Sequence, residues 1–432
     1  MALDASGDLG VDVLIIGAGI QGLYLAGSLQ ADYSVCVVAD PGVRAATLDA
    51  AGHISAGYEG NDAARMQPAR RAAGYWRLWA EANGLLVDPA PVHHVVPGRA
   101  DRPARWSEAT LTYHEADGQP EILAGGSLDD ERAYVLDDDV VIHPGALLER
   151  LRVAVADRCV TGEVVDVNLA ADRAVDAVEV QVGDRLVPIV ARYTVLAAGA
   201  GNAGLLSMVA KRMVDRSLRR ERQEQARVCQ AVGRSTVVCA RGRSLPPLAG
   251  WFGDLSIVSH TGPDDTVWIV SVPGSEEVSL GQDDLRFDPP VDDGIVAATV
   301  DRLFAVAPAV ARTAPELRWG AYGSRRALHP MLAGPDPAGV GRPVPARLDA
   351  FGLESFLALW PSHLGYAMVL GDVVTERIAD ALGPRGDFSD GLQVPEVSAA
   401  APLTPRPARW DSDALRWRDW ASFCAAHGLG PG

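Results

Sequence analysis

The chain has 432 residues, of which 48% are apolar and 22% charged, a composition that predicts a globular protein of roughly two or three domains. Its formal net charge of −17 argues against nucleic acid or an anionic membrane as a partner. No run of 18 apolar residues and no leader sequence is present, so we expect no membrane partner and a cytoplasmic location. The cysteines are scattered without a C-x-x-C pair, which predicts neither disulfides nor a metal site.

A glycine-rich turn follows the first apolar run of the chain. Residues Val11 to Ile16 predict a strand that is buried on both faces. The pattern G-x-G-x-x-G then places glycines at Gly17, Gly19 and Gly22. In this pattern the first glycine gives a tight turn, the second admits a pyrophosphate, and the third lets the following helix pack on the strand.

The second predicted strand ends in an acidic residue. Val35 to Ala39 is again apolar, and Asp40 follows Gly17 by 23 residues, where a carboxylate accepts hydrogen bonds from an adenosine ribose. The order of strand, glycines, helix and acid predicts a dinucleotide site. A glycine-rich turn of no special function would leave Gly22 and Asp40 unexplained.

In the middle of the chain, segments that predict a strand followed by a helix alternate with segments that predict short strands. In chain order we predict a loop (Thr47 to Gly60), a helix (Asp62 to Asn83, stopped at Gly84), short strands (Val92 to Val96 and Thr110 to His114), a strand and helix opened by Pro144 (Asp137 to Arg158), a strand pair (Val164 to Val182), and a buried strand (Thr194 to Ala198) before a turn of small residues (Gly199 to Gly201).

The second half begins with the basic segment Lys211 to Arg222, which contains the only lysine. Interleaved acidic residues favour a solvated helix face over a clamp for an anionic partner. We then predict an antiparallel meander (Ala226 to Val232, Thr236 to Ala240, Leu255 to Ser259 and Thr266 to Val272), a helix (Gly294 to Val306), two strands (Glu316 to Tyr322 and Phe356 to Trp360), a loop with Gly365, an amphipathic helix ending near Gly383, and an ordered surface tail from about Phe388.

Taken together, the chain resembles the FAD-dependent oxidoreductases of the D-amino-acid oxidase, glycine oxidase and sarcosine oxidase superfamily. Four segments carry the resemblance, in the order that is typical of the family: the glycine-rich turn with Asp40, DDDVVIHPGALLERL, TVLAAGAGN and HLGYAMVLGDVVTERIAD. The resemblance implies an α/β fold: a discontinuous Rossmann-type FAD-binding domain with a second, α+β substrate domain built on an antiparallel sheet.

The implied domain boundaries lie where the predicted secondary structure changes from alternating strands and helices to short strands. The FAD-binding domain would comprise residues 1–88, 140–212 and 323–387, the substrate domain residues 89–139 and 213–322, and the tail residues 388–432.

The resemblance also implies which residues contact FAD. They lie in the glycine-rich turn, after the second strand, in the central strands and in the loop before the last long helix: Gly17, Gly19, Ile20, Gln21, Gly22, Asp40, His53, Ser55, Ala56, Val164, Val165, Ala198, Gly199, Gly201, His363, Leu364, Gly365, Tyr366, Ala367 and Met368. The N-terminus of that last helix would stabilise the negative charge that a reduced flavin gains.

The implied chemistry is oxidation of a C–N bond in a small amine or amino acid, with hydride transfer to flavin N5 and an imine as product. Arg325 or Arg326 would bind a substrate carboxylate, because a planar guanidinium matches a carboxylate, and Tyr322 would add a hydroxyl donor. A surface ion pair is the alternative for either arginine. We also expect His363 beside the ring to take part in catalysis.

Two features leave the reaction with the electron acceptor open. His53 lies where some relatives attach FAD covalently, but its spacing to the next glycine differs, which favours a noncovalent contact or an ordinary loop residue. Lys211 is badly placed to promote reaction with oxygen. The electron acceptor is left open. It is either oxygen, with positive charge supplied by His260, His329 or His363, or another molecule.

Three other functions share part of the pattern. A flavin monooxygenase has a Gly-Asp pair before its flavin loop, whereas Gly371 and Asp372 follow it here. An NAD-dependent dehydrogenase would not need the meander or the C-terminal loop. A flavin-binding protein without turnover stays possible because the segment GSRRALHP departs from the family pattern.

Overall fold

The computed structural model describes residues 9–57, 63–85, 91–95, 102–272, 277–280, 284–328, 346–361, 363–383, 406–411 and 415–430. The helices in these ranges are α1 (Ile20–Leu29), α2 (Ala63–Ala82), α3 (Arg102–Glu108), α4 (Pro144–Ala154), α5 (Asn202–Arg212), α6 (Arg216–Val228), α7 (Asp293–Val306), α8 (Pro308–Thr313), α9 (Tyr366–Leu382) and α10 (Trp420–His427).

The strands in the same ranges are β1 (Leu9–Ile16), β2 (Val35–Ala39), β3 (His53–Ile54), β4 (Val92–Val95), β5 (Tyr113–Glu115), β6 (Ala133–Leu136), β7 (Val140–Val141), β8 (Cys159–Thr161), β9 (Glu163–Ala170), β10 (Ala174–Val182), β11 (Arg185–Leu196), β12 (Ala231–Gly242), β13 (Ala249–Phe252), β14 (Leu255–Thr261), β15 (Thr266–Ser271), β16 (Glu277–Leu280), β17 (Arg318–Leu328), β18 (Ala346–Asp349) and β19 (Phe356–Trp360).

The first sheet collects strands from three distant parts of the chain. Its order is β18-β19-β11-β1-β2-β8, and β1 runs parallel to both β2 and β11. Alternate residues of β1 enter different cores: Val13 and Ile15 pack with α1, α4 and α9, and Leu14 and Ile16 pack on the other face. Burial on both faces explains the unbroken apolar run that the sequence shows.

The second sheet has the order β16-β12-β15-β14-β13-β4-β6-β5, with β17 paired to β12, and most of its pairs are antiparallel. The predicted strand from Ala226 to Val232 is wrong in its first half, because residues up to Val228 belong to α6. The remainder joins the predicted strand from Thr236 to Ala240 in one long strand, β12.

Strand β17 is longer than predicted. It continues to Leu328, so the predicted domain boundary at residues 322/323 falls inside it. Arg325 and Arg326, expected just after the strand, lie within it and pair with Arg234 and Gly233 of β12. The long hydrogen-bonded partner strand explains the extension, since β12 offers backbone groups along the whole length.

The described part of the C-terminal tail lies on the surface, with Arg406, Asp411 and Arg416 exposed, and inserts aromatic side chains into the core. Trp410 is 2% exposed, and Phe423 of α10 is fully buried against Trp319 of β17. Residues 388–405 of the predicted tail lie outside the described ranges. The aromatic cluster that Phe423 forms with Trp319 contributes to the core of the second sheet.

No single helix in the described ranges is long and apolar enough to span a bilayer. Helices α7 and α8, with the turn that follows, pass that test only as a pair bent by 111°. The apolar face of α7, which includes Val296, Val300 and Leu303, is buried against the second sheet.

Two glycines of α1 make a matched test of the packing of this helix. A Cβ on Gly22 would lie 1.9 Å from the carbonyl oxygen of Gly17, whereas a Cβ on Gly27 has no atom within 4 Å. We expect Gly22→Ala to lower the free energy of unfolding by about 3 kcal/mol through overpacking. Gly27→Ala should leave it unchanged or raise it by up to about 1 kcal/mol. Denaturant unfolding of both variants checks this, and equal stabilities would contradict it.

Candidate functional site

The larger of two connected cavities has a volume of about 680 Å³ and lies at the carboxyl ends of β1, β2 and β11. Such an edge of a parallel sheet is where nucleotide ligands bind. Most of the predicted cofactor residues line it: Gly17, Gly19, Ile20, Gln21, Asp40, Val164, Ala198, Gly199, Gly201, His363 and Leu364.

The three glycines of the turn have different surroundings. Gly17 has a φ of +117°, and a Cβ there would lie 2.5 Å from the carbonyl oxygen of Ala197. Gly22 packs against Gly17, as described above. A Cβ on Gly19, in contrast, meets no protein atom within 4 Å. The first and third glycines therefore close the turn on β11 and α1, and the second leaves open space beside the helix N-terminus, as a pyrophosphate requires.

The polar lining also fits a dinucleotide. Both amide atoms of the buried Gln21 side chain lack a hydrogen-bond partner among the described residues. Asp40 lies at the far end of the cavity, and one of its carboxylate oxygens accepts a hydrogen bond from the backbone of Gly42 at 2.7 Å. The Thr47 Oγ1 accepts a hydrogen bond from the backbone N–H of Ile20 at 3.3 Å, which fixes the loop after β2 to the start of α1.

Five predicted cofactor residues line neither cavity: Gly22, Ala56, Val165, Ala367 and Met368. Val165 is 41% exposed, because it follows Val164 on β9 and alternate strand residues point to opposite faces. Val164, the alternative to Val165 for backbone contacts with adenine, lines the larger cavity. Ala367 and Met368 are buried in the core to which α9 contributes. Their contacts with the cofactor stay predictions.

The smaller cavity has a volume of about 280 Å³ and lies between the first loop and the second sheet. The two cavities share the lining residues Asp49, Ala50, Ser235, Ser324, His363 and Leu364. Predicted residues that line the smaller cavity are His53, Ser55, Tyr322, Gly365 and Tyr366. Trp251 of β13 adds an aromatic wall, and no sequence pattern marks this residue.

A buried carboxylate, Asp139, holds the wall of the smaller cavity. Its Oδ2 accepts hydrogen bonds from His53 Nε2 at 3.1 Å, His94 Nε2 at 3.0 Å and Ser55 Oγ at 2.6 Å. Its Oδ1 accepts the backbone N–H of Ala56 at 2.6 Å. Burial opposes ionisation of Asp139, but the two histidine hydrogen bonds outweigh it and hold its pKa well below the usual range.

These contacts give Ser55 and Ala56 a role that differs from the predicted one, since both bind Asp139. Asp139 and His94 were not among the predicted site residues. Asp139 ends the run Asp137 to Asp139 before a strand, and no local motif distinguishes it. Only the pairing of β3 with β7 and of β4 with β6 brings them together. His53 donates its Nε2 hydrogen to Asp139, which fixes its ring and tautomer.

His363 lies where the two cavities meet, beside Arg326. Arg326 Nη1 is 3.4 Å from His363 Nε2. Burial, together with the neighbouring guanidinium, lowers the pKa of His363 to about 3, so the imidazole is neutral at physiological pH. The expectation that His363 or His260 supplies positive charge is therefore wrong. Burial lowers the pKa of His260 to about 4, and its ring contacts the carbonyl oxygen of Ala51. His329 lies outside the described residues.

The two predicted substrate arginines point to opposite sides of β17. Arg325 donates to the carbonyl oxygens of Asp284, at 2.8 Å, and Phe287, so a neighbouring loop holds its guanidinium. Arg326 shares the strand face of Tyr322 and Ser324. Both arginines line the larger cavity, and neither lines the smaller one. The Tyr322 hydroxyl donates to the carbonyl oxygen of Asp49 at 2.9 Å, and burial raises its pKa. Tyr322 therefore positions the Asp49 loop, and its hydrogen is not available to a substrate.

Among the residues that the structure describes, no group of three or more His, Cys, Asp or Glu side chains has the arrangement of a metal site. The only lysine, Lys211, is exposed on α5 and lines neither cavity. The positive charge at the junction of the cavities comes from Arg326.

The Asp139 cluster predicts a stability change with pH. The folded pKa of Asp139 is depressed, so its contribution to stability is present above the unfolded pKa of about 4 and is lost as the pH falls below it. We expect Asp139→Asn to lower the free energy of unfolding at pH 7 by about 3 kcal/mol, because it leaves buried donors without a charged acceptor.

Thermal unfolding of the parent and of Asp139→Asn between pH 7 and pH 3 measures both effects. The parent should lose stability more steeply than the variant below about pH 4. Parallel curves would show that the carboxylate is not preferentially ionised in the folded state.

Comparison with known proteins supports the same assignment. A sequence model of FAD-dependent oxidoreductases, the DAO family, matches residues 12–352. No curated protein sequence matches significantly.

The fold is similar to that of several solved structures. An FAD-dependent oxidoreductase from Pseudomonas aeruginosa has a TM-score of 0.64 at 19% identity, covering 90% of this chain and 95% of that one. Glycine oxidase from Geobacillus kaustophilus has a TM-score of 0.62 at 15% identity, over 86% and 95% of the two chains. Iminodiacetate oxidase from Chelativorans sp. BNC1 has a TM-score of 0.60 at 18% identity, over 90% and 98%.

At these identities the structural similarity shows the fold, and the sequence model shows the family. The glycine-rich turn, the cavity at the edge of the parallel strands and the matched residues agree with it. The chain belongs to the DAO family of FAD-dependent oxidoreductases, and FAD is its cofactor.

Proposed function

We propose that the enzyme oxidises a C–N bond of a small amine or amino-acid-like molecule and releases an imine, which water hydrolyses. The observation that carries this proposal is the junction of the two cavities at His363, Leu364 and Ser324. A long cavity for a dinucleotide opens there into a small chamber with polar walls. The similar structures include, by name, a glycine oxidase and an iminodiacetate oxidase.

We assign the larger cavity to FAD. The open space at Gly19 and the start of α1 suit the pyrophosphate, and Asp40 suits the adenosine ribose. When bound, FAD supplies the acceptor for a hydride from the substrate carbon. In this proposal a discontinuous Rossmann-type unit, with β1, β2, β8 to β11, β18 and β19, binds the cofactor, and the second sheet covers it.

We assign the smaller cavity to the substrate, and the guanidinium of Arg326 to recognition of its acidic group. Arg326 lies on the cavity face of β17, and the neutral His363 next to it does not cancel or compete with its charge. A guanidinium in a partly buried site binds a carboxylate more strongly than it does in water. His53, held by Asp139, and Trp251 form the opposite wall and orient the rest of the molecule.

The electron acceptor is oxygen or another molecule. Since the histidines near the junction are neutral, Arg326, a cation beside His363, would stabilise a reduced oxygen species in this proposal. Arg325 and Arg326 line the larger cavity and neither lines the smaller one, so a flavin-binding protein without turnover stays the alternative that the substrate panel must exclude.

A panel of amino acids, N-methyl amino acids and simple amines tests the reaction. We expect at least one to bleach the absorbance of the bound flavin under anaerobic conditions, and admission of air then separates an oxidase from a dehydrogenase. A flavin that dithionite reduces, but that no amine in the panel reduces, would contradict C–N oxidation.

Arg326 and Arg325 form a matched pair for the substrate assignment. We expect Arg326→Ala to slow anaerobic flavin reduction by an acidic substrate about 100-fold, because a charge-assisted contact worth about 2–3 kcal/mol is lost. Arg325→Ala removes the same charge from the neighbouring position and should slow it far less. Stopped-flow absorbance measures both rates. Equal effects of the two substitutions would argue against Arg326 as the substrate residue.

Gly19 tests the cofactor assignment. A leucine at this position meets no protein atom at its Cβ, so Gly19→Leu should fold normally while its side chain occupies the space of the pyrophosphate. We expect the purified variant to be colourless and to bind no added FAD, with an unchanged circular dichroism spectrum. Retention of FAD at the parent level would place the pyrophosphate elsewhere.

A further inference from the structure

The larger cavity has a wall that comes from the C-terminal tail. Arg406 lines it together with Asp40, Pro41 and Val43. The guanidinium of Arg406 donates to the carbonyl oxygen of Pro41 and, at 3.5 Å, to that of Val43. The loop after β2 is thereby bound by a residue that is more than 360 positions away in the sequence.

The contact is reciprocal. Arg44 Nη2 donates to the carbonyl oxygen of Pro407 at 2.9 Å, and Arg44 Nε lies 3.1 Å from Asp49 Oδ1. Arg409 approaches the same Asp49 oxygen at 3.6 Å and donates to Asp288 at 2.8 Å. The tail therefore contacts the loop at its beginning, through Arg406, and at its end, through Arg409.

Other residues hold both the loop and the tail segment in place. Asp49 is 8% exposed, so its carboxylate depends on Arg44 and Arg409 for compensation of its buried charge. The indole of Trp410 stacks on the His260 ring of β14 with centroids 4.4 Å apart and 16° between the planes. The Asp411 carboxylate lies 3.6 Å from His143, the residue that caps α4. The tail segment is thus fixed to the second sheet and to α4 while it holds the loop.

The loop is the part of the site that carries the adenosine end. Asp40 begins it, and its residues line the larger cavity through Asp49. The family match ends at residue 352, so the tail segment lies outside the region that the family model describes.

We infer that residues 406–411 form a latch, which holds the loop from Asp40 to Asp49 closed over the adenosine half of FAD and slows release of the cofactor. The latch depends on FAD as the cofactor and not on the proposed C–N oxidation. Arg406 is the residue to change, because it is exposed and contacts the loop, whereas Arg409 also compensates a buried carboxylate.

Two substitutions with the same change in charge make the test. Arg406→Ala removes the donors to Pro41 and Val43. Arg416→Ala, in the same tail, changes an exposed arginine that lines neither cavity. Both proteins are loaded with FAD, and two quantities are measured: the rate of FAD release, by dilution into an FAD-scavenging apoprotein, and amide hydrogen exchange across the chain.

We expect Arg406→Ala to release FAD about ten times faster than the parent, as loss of charged hydrogen bonds implies. Exchange should accelerate in residues 41–49 and stay unchanged in residues 363–368 at the other end of the cavity. Arg416→Ala should behave as the parent. If Arg406→Ala proves unstable, Arg406→Gln retains a shorter donor and is measured in the same way.

Two outcomes would overturn the inference. Release and exchange that match those of Arg416→Ala would show that the tail contact has no effect on the loop. Faster exchange at both ends of the cavity would show that Arg406 supports the fold as a whole. Neither outcome depends on whether an amine reduces the flavin.

Discussion

The carboxylate of Asp139 connects the two halves of the site. It stands before β7, which pairs with β3 of the first loop, and it binds His94 from β4 of the second sheet. A buried carboxylate must be fully hydrogen-bonded, because its desolvation costs several kcal/mol. Its donors come from β3 and the residues that follow it, in the small β3-β7 sheet, and from β4 of the second sheet, so the carboxylate links these two elements at the smaller cavity. The hydrogen bonds of Asp139 therefore hold the walls of the smaller cavity in place.

Charge is distributed unevenly along the connected cavities. At one end the backbone N–H groups of a helix N-terminus and the space at Gly19 suit an anionic ligand, and Arg44 and Arg152 also line this cavity. At the junction, burial keeps His363 neutral beside the cationic Arg326. Under the proposed function, the guanidinium of Arg326 orients the anionic group of the substrate at this junction.

Local patterns predicted the parts of the site that depend on neighbouring residues. The glycine-rich turn, the buried strand β1 and the loop before α9 each follow from a short run of sequence. The Asp139 cluster could not be predicted, since its members are separated by up to 86 residues and meet through strand pairing. The assignment of residues 226–228 to a strand failed for a related reason. A strand's two faces, or an amphipathic helix beside a strand, look alike until tertiary packing decides between them.

The tail shows how a family fold gains a property of its own. Matched residues build the glycine-rich turn and most of both sheets, whereas β19, α9 and the junction residues His363 and Leu364 follow the matched region. Retention of the cofactor is a separate quantity, because release requires the loop from Asp40 to Asp49 to open. Contacts between the tail and that loop raise the free energy of opening without touching the reacting atoms. A segment outside the family match is therefore free to change how long FAD stays bound while the chemistry at Arg326 and His363 is unaltered.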